Sequence, residues 1–308
     1  MSALFLLQQC LIGLTNGGLI ALVALGYTMV YGVLRFINFA HGDLIMLGAC
    51  AALGLVAPLG LAATGGPPSL ATWLGIVAMV LLCGLFCGGL NVAVDRFVYR
   101  PLREAPTLAP LVSAIGVSFI FMNIGLAWIG PADRGFPQVV PAASLLPGNG
   151  VQFGWKDLLV LVVAMPLIVG IMLLMRTTRL GKAVRAVAQD RTAAALMGID
   201  VDRMVATTFF LAGFLGGAAS VITGLYTNTI SYQMGFQNGL YAMTAAVLGG
   251  LGSIRGAVAG GLVVGLVRAL STAYAGERWA GAIVFAVLIV VLAFRPEGLL
   301  GHRAKETV

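Results

Sequence analysis

Apolar residues fill nine runs of this chain, at about 5–34, 44–62, 70–94, 108–130, 156–175, 204–226, 238–252, 257–275 and 279–294, separated by connections rich in charge, glycine or proline. About 20 apolar residues are what a helix needs to cross roughly 30 Å of hydrocarbon. The pattern therefore predicts an all-α integral membrane protein, a polytopic helical bundle of about 8–10 spans folded as a single domain over 1–308. Short runs such as 238–252 fit the length requirement least well. Two segments read as interruptions: 35–43, which contains "INFAHGD", and 248–257, "LGGLGSIRGA". One falls in each half of the chain, as expected of an inverted repeat whose broken helices meet near a transport path. For the glycine-rich segment, a tight turn between two short spans is the alternative.

Composition agrees with the pattern. The chain is 60% hydrophobic and 9% charged, against about 25% charged in soluble domains, and its mean hydropathy is +1.01. The first thirty residues carry no basic n-region and no small-residue cleavage site, so the first run is kept as a helix. Glycine crowds the spans, as in "GLTNGGLIALVALG" and "GFLGGAASVITG", which lets helix backbones approach closely.

A net charge of +7 would point to nucleic acid in a soluble chain; in a membrane protein it reports orientation. With 95–107 placed in the cytoplasm, alternation puts 35–43, 176–203, 253–256 and the tail from 295 on the same side. Fourteen of the 18 basic residues then lie inside, against Arg134, Lys156 and Arg278 outside. This satisfies the positive-inside rule with nine spans, an outside N-terminus and an inside C-terminus. Only Arg268 falls within a span, to snorkel or to face the protein interior. The longest outside connection, 131–155, holds four prolines and reads as an ordered external loop.

Little here supports catalysis. The only histidines are His41 and His302, and Cys10, Cys50, Cys83 and Cys87 all sit in apolar runs, so no metal site assembles at normal spacing. Cys83 and Cys87 share a helix face as two small buried hydrophobes.

The inside loop 176–203 is the most informative stretch. Residues 182–197 interleave Ala183, Val184, Val187, Ala188, Ala194, Ala195 and Met197 with Lys182, Arg185, Asp190 and Arg191, and Gly198 stands where a left-handed cap would end a helix. A short amphipathic helix is expected, either lying on lipid headgroups or docked in a groove of a soluble partner.

"LGKAVRAVAQDRTAAALMGID" resembles the cytoplasmic coupling motif of ABC importer permeases of the branched-chain amino-acid family, and further similar stretches run along almost the whole chain. They include "ALGYTMVYGVLRFINFAHGDLIMLGA", "DRFVYRPLREAPTLAPLVSAIGVSFIFMN", "AAVLGGLGSIRGAVAGGLVVGL" and the ending "FRPEGLLG". The length is most similar to the H-type permease. Unlike the acidic-Ala-Ala pattern of other ABC importers, no Glu precedes Ala193 and Ala194. The resemblance implies a heteromeric importer in the bacterial inner membrane. Its parts would be this chain, a second M-type permease, two cytoplasmic ATPases that carry the ATP and Mg, and an external binding protein that delivers leucine, isoleucine or valine. It also implies coupling contacts through Leu180, Gly181, Lys182, Arg185, Ala186, Ala193, Ala194, Leu196, Gly198 and Ile199. Independently, the chain lacks G-x-x-x-x-G-K-[ST], since Gly181-Lys182 is followed by Ala183, so it has no phosphate-cradling loop of its own. Motion of the ATPases is expected to enter the spans at 156–175 and 204–226.

The candidate pathway or gate comprises Asn38, His41, Asp43, Gly249, Gly250, Gly252 and Ser253. The polar trio, placed by the charge count at the cytoplasmic end of the first two spans, has three readings: a helix start capped by Asn38 or Asp43, a polar lining past which a zwitterion moves, or a proton relay of His41 and Asp43. The relay belongs to the rival function, a proton- or ion-coupled secondary transporter of amino-acid-like solutes.

Overall fold

The computed structural model describes residues 3–61, 68–103, 105–106, 108–145 and 152–301; His302, Arg303 and Lys305 lie outside them. The helices are α1 (Ala3–Leu34), α2 (Ala40–Val56), α3 (Leu70–Val94), α4 (Leu108–Ile129), α5 (Trp155–Thr177), α6 (Arg179–Gln189), α7 (Arg191–Leu196), α8 (Val201–Thr227), α9 (Met234–Gly249), α10 (Ile254–Ala275) and α11 (Glu277–Phe294). A π-helical turn, Asp95–Tyr99, extends α3. The strands β1 (Arg134–Gly135) and β2 (Thr229–Ile230) pair antiparallel.

Each apolar run is a helix, but the nine differ in kind. Seven, α1, α3, α4, α5, α8, α10 and α11, are long and apolar enough to span a bilayer. α2 and α9, with 17 and 16 residues, fall short of the roughly 20 needed. Both also begin about four residues earlier than the hydrophobic runs indicated, so Ala40–Asp43 form the first turn of α2 instead of a connection.

α1 and α8 are the central helices, and small residues set their contacts. Gly13, Gly17 and Ala21 of α1 face Leu266, Leu262 and Gly261 of α10, running antiparallel; a methyl on Gly17 would come within 2.9 Å of the Leu262 Cα. Cys83, Gly84, Cys87 and Gly88 of α3 likewise face Gly217, Phe214, Gly213 and Phe210 of α8, also antiparallel. Such four-residue spacing of small side chains brings backbones together where lipid offers no hydrophobic driving force. The cysteines thus serve as small seam residues, 0% exposed.

These two seams are one motif used twice. Gln8 near the start of α1 donates to the Gln152 carbonyl just before α5, and Lys156 at the start of α5 donates to the carbonyl of Tyr226 at the end of α8, so α1 and α8 run in opposite directions. Each is followed by a residue in the left-handed region, Arg35 (φ 62) and Asn228 (φ 54), the two non-glycine residues with positive φ among those described. After each comes a short helix, α2 or α9, and then a long one, α3 or α10, that packs on the opposite central helix. The correspondence stops there, since α4 lies on α2 whereas α11 lies mainly on α10. This is an inverted repeat, α1–α3 against α8–α10. Its broken segments are 35–39 and 228–233, so the expected partner of 35–43 is corrected: 248–257 is the turn between α9 and α10.

Candidate functional site

The repeat brings its two short helices together at their N-terminal turns. Gly42 of α2 touches Gly235 and Gly239 of α9; a methyl on Gly42 would lie 2.6 Å from the Gly235 carbonyl oxygen and 2.9 Å from the Gly239 Cα. Around this crossing sits the polar trio, and it is fully enclosed: Asn38, His41 and Asp43 are 2%, 1% and 2% exposed. Their expected position at an accessible cytoplasmic helix end is therefore corrected. The chain leaves α1 at Arg35 and turns back into the protein before α2 starts.

Asn38 holds the chain one residue before the N-cap of α2, Phe39. Its Oδ1 accepts from the Ala40 N–H (3.1 Å) and from the Tyr99 hydroxyl (2.7 Å), and its carbonyl accepts from the His41 N–H (3.2 Å). Tyr99, brought inward by the π turn, stacks edge-on to Phe36 with centroids 5.2 Å apart and leans on Phe209. Asp43 does not cap. Its Oδ2 accepts from Ser118, half-way along α4, and its Oδ1 has no partner among the described residues. His41 lies between Gly26 of α1 and Gly216 of α8, edge-on to Tyr27 at 4.8 Å. Neither of its ring nitrogens makes a well-formed hydrogen bond among the described residues, the Val23 carbonyl being the one acceptor near the ring. No hydrogen bond joins His41 to Asp43 among the described residues, so the relay reading lacks its connecting contact. Each unmatched buried polar group costs roughly 1–3 kcal/mol. Such a cluster is tolerable where the arrangement has to come apart during function.

On the far side of this plug from the basic end, a cavity of about 320 Å³ opens between α1, α2, α8, α9 and α10. Val23 and Ile45 form its floor, and Ile45 and His41 both touch Gly216. Asn16, Thr223 and Asn238 place polar groups on its wall. The pattern of apolar runs absorbed Asn16 and Asn238 as isolated interruptions; their common wall is a tertiary fact, although amides inside spans were the available signal.

Gly249, Gly250, Gly252 and Ser253 lie apart from the trio, at the basic end. Gly250 (φ 104) and Gly252 (φ 88) make the turn between α9 and α10, and Ser253 caps α10 by accepting from the Gly256 N–H at 3.1 Å. The turn is strapped by 297–301: Leu299 and Leu300 donate to the carbonyls of Leu248 and Gly249 at 2.8 and 3.0 Å. These residues form a closed turn, and the trio meets Gly235 and Gly239 instead.

The expected single amphipathic helix at 182–197 is two helices. Asp190 leaves helical geometry and caps α7 by accepting from the Ala193 N–H at 3.0 Å, while Thr178 caps α6 through the Gly181 N–H at 3.1 Å. Gly181, Val184, Val187 and Ala194 face inward, and Lys182, Arg185, Ala193 and Gly198 face out, with Leu180, Ala186 and Ile199 half-buried. Gly198 has the left-handed φ of 79 that the sequence suggested. At the tip, Leu196 and Met197 are 84% and 83% exposed.

The break between α6 and α7 is clasped to the end of α1. Arg35 donates to the Ala188 carbonyl at 2.8 Å, and Arg191 donates to the Val33 carbonyl. Arg35, just past α1, thus satisfies a carbonyl at the end of α6, and Arg191 at the start of α7 satisfies one at the end of α1. Burial, then the nearby Arg103 and Arg35, lowers the Arg191 pKa from its ordinary value. Beside it Arg103 bridges Asp95 (2.9 Å) and Asp202, and Arg100 pairs with Asp202, joining the end of α3 to the start of α8.

A multi-pass helical bundle with a broken-helix crossing, a cavity closed at one end and an exposed helical tip tied to the central helix defines a membrane permease. Residues 9–292 match the family described as branched-chain amino acid transport system / permease component, and the chain belongs to that family. It is 36% identical over 305 residues to the high-affinity branched-chain amino acid transport system permease protein BraD of Pseudomonas aeruginosa, covering 98% of each chain. It is 35% identical over 311 residues to the permease protein LivH of the corresponding system of Escherichia coli K12, covering 99% of this chain and 98% of LivH. A more distant relative, at 28% identity over 93% of this chain and 83% of its own length, is the autoinducer 2 import system permease protein LsrD of Salmonella paratyphi B. No solved structure matches.

Proposed function

We propose that this chain is the H-type pore subunit of an ATP-driven importer that moves leucine, isoleucine and valine into the cytoplasm across the bacterial inner membrane. A second, M-type permease completes the pore, two cytoplasmic ATPases hold the ATP and Mg, and an external binding protein supplies the amino acid. The basic end of the bundle, with the C-terminal segment, faces the cytoplasm.

The observation that carries this reading is the α6–α7 unit, with an apolar tip in solvent and its base clasped to α1. Leu196 and Met197 suit a groove on a partner better than a place in water. The clasp adds a route to the expected entry through α5 and α8. A tilt of α6–α7 pulls on Val33 and Arg35, and the next residues, 36–43, are the plug. Gating through the Asn38, His41 and Asp43 segment follows from this route.

Uptake of labelled leucine into proteoliposomes tests it. The chain alone is expected to be inactive, and ATP-dependent uptake is expected once ATPases, second permease and binding protein are added. Uptake by the chain alone under a proton gradient overturns the proposal in favour of a secondary transporter.

A further inference from the structure

Arg268, the basic residue that the apolar runs enclose, has a specific place. Arg268 and Glu277 both line the cavity, together with Thr272. Arg268 lies seven residues before the end of α10, about 10 Å from its terminus by helical rise, towards the cavity's open side. Its guanidinium is held from two directions: Nη2 donates to Glu277 Oε1 at 3.1 Å, and the group lies 4.6 Å from the Tyr241 ring centroid on α9. Thr272 donates to the other oxygen of Glu277 at 2.9 Å. A half-exposed ion pair adds little to folding, and an arginine inside a span is costly. Neither stability nor solubility accounts for this pair on a cavity wall.

We infer that Arg268 and Glu277 form an amphoteric subsite that receives the two charged ends of a free amino acid at the outer mouth of the pathway. This deepens the transport reading above and rests on it. The carboxylate meets the planar guanidinium, whose remaining donors have no partner among the described residues, and the ammonium meets the exposed Glu277 carboxylate. Asn16 and Asn238, whose amides no other described residue engages, complete the polar wall, while Ile12, Leu19, Ile20 and Ile45 offer an apolar surface to an aliphatic side chain. A cavity of about 320 Å³ lies at the small end of ligand pockets, roughly 300–1,000 Å³, which suits a single amino acid.

The assay is leucine uptake by the full importer in proteoliposomes, with ATP hydrolysis measured on the same vesicles. Arg268→Gln and Glu277→Gln should each lower uptake roughly tenfold, the loss expected for one charge-assisted hydrogen bond; Arg268→Lys should recover part of it. Uptake within twofold of the parent in both Gln variants overturns the subsite. Should those variants fail to assemble, Asn238→Cys in a Cys10→Ala background decides. Reaction of the introduced thiol with a membrane-impermeant reagent that blocks uptake, and protection by leucine-loaded binding protein, support the subsite; an introduced thiol that does not react overturns it. A parent importer that shows no ATP-driven leucine uptake refutes the transport reading itself, a distinct result.

Discussion

His41 occupies a space shaped for it, against two glycines and a tyrosine ring, yet neither of its nitrogens makes a well-formed hydrogen bond among the described residues. That combination separates stability from function in a measurable way. Leucine at this position removes two poorly matched groups and keeps most of the volume, so His41→Leu is expected to leave the detergent-solubilised protein as stable or about 1 kcal/mol more stable, while slowing leucine uptake. A thermal melt and an uptake assay on one preparation check both halves. Gly42→Ala should do the reverse: its methyl collides with backbone on α9, and overpacking of this kind costs about 1–3 kcal/mol, read as a lowered melting temperature. Asp43→Asn keeps the volume and still accepts from Ser118, so folding should survive and any loss should appear in transport. The trio was visible in the sequence because three polar residues interrupt apolar runs. Its depth was not, because burial depends on Tyr27, Tyr99, Ser118 and Gly235, which local pattern does not connect to it.

At the scale of elements, the α6–α7 unit shows what periodicity carries and what it leaves out. The inward positions Val184 and Val187 and the left-handed Gly198 were readable from spacing and residue type. The division at Asp190 was not, since one aspartate on a polar face looks the same whether the helix continues or restarts. Its consequence is that Ala194 is packed inside while Leu196 and Met197 project. Replacing Ala194 by a bulky residue therefore disturbs the protein itself. Met197→Asp tests the partner contact better: a fully solvated position should change stability by no more than about 0.5 kcal/mol, while ATP-driven uptake falls at least tenfold, as measured by melting and transport together. Arg191→Ala should release the clasp, so that ATP hydrolysis by the assembled complex continues while leucine uptake drops. The second broken helix was misplaced for a related reason. Four glycines in 248–257 outweighed a lone Asn228, although asparagine is the residue type that most readily takes left-handed geometry outside glycine.

For the whole molecule, the membrane class followed from composition and the number of apolar segments from their pattern, because hydrocarbon imposes a length rule on every helix. The repeat did not, because its halves agree in path and packing but scarcely in residue identity. α1 against α10 and α3 against α8 are the two places where the architecture can be seen, each a seam of small side chains. Since the path is duplicated upside down, whatever the protein does at one end it is built to do at the other. The open side now lies between α1, α8, α9 and α10, and the opposite group, α8, α1, α2 and α3, is shut around Tyr27, Tyr99 and Phe209. Exchanging the postures of the two halves closes the first space and opens the second, which gives alternating access without any new contact type. The two-fold axis in the bilayer plane that relates the repeats carries the one space onto the other, so a form open at the basic end is the present form turned about that axis.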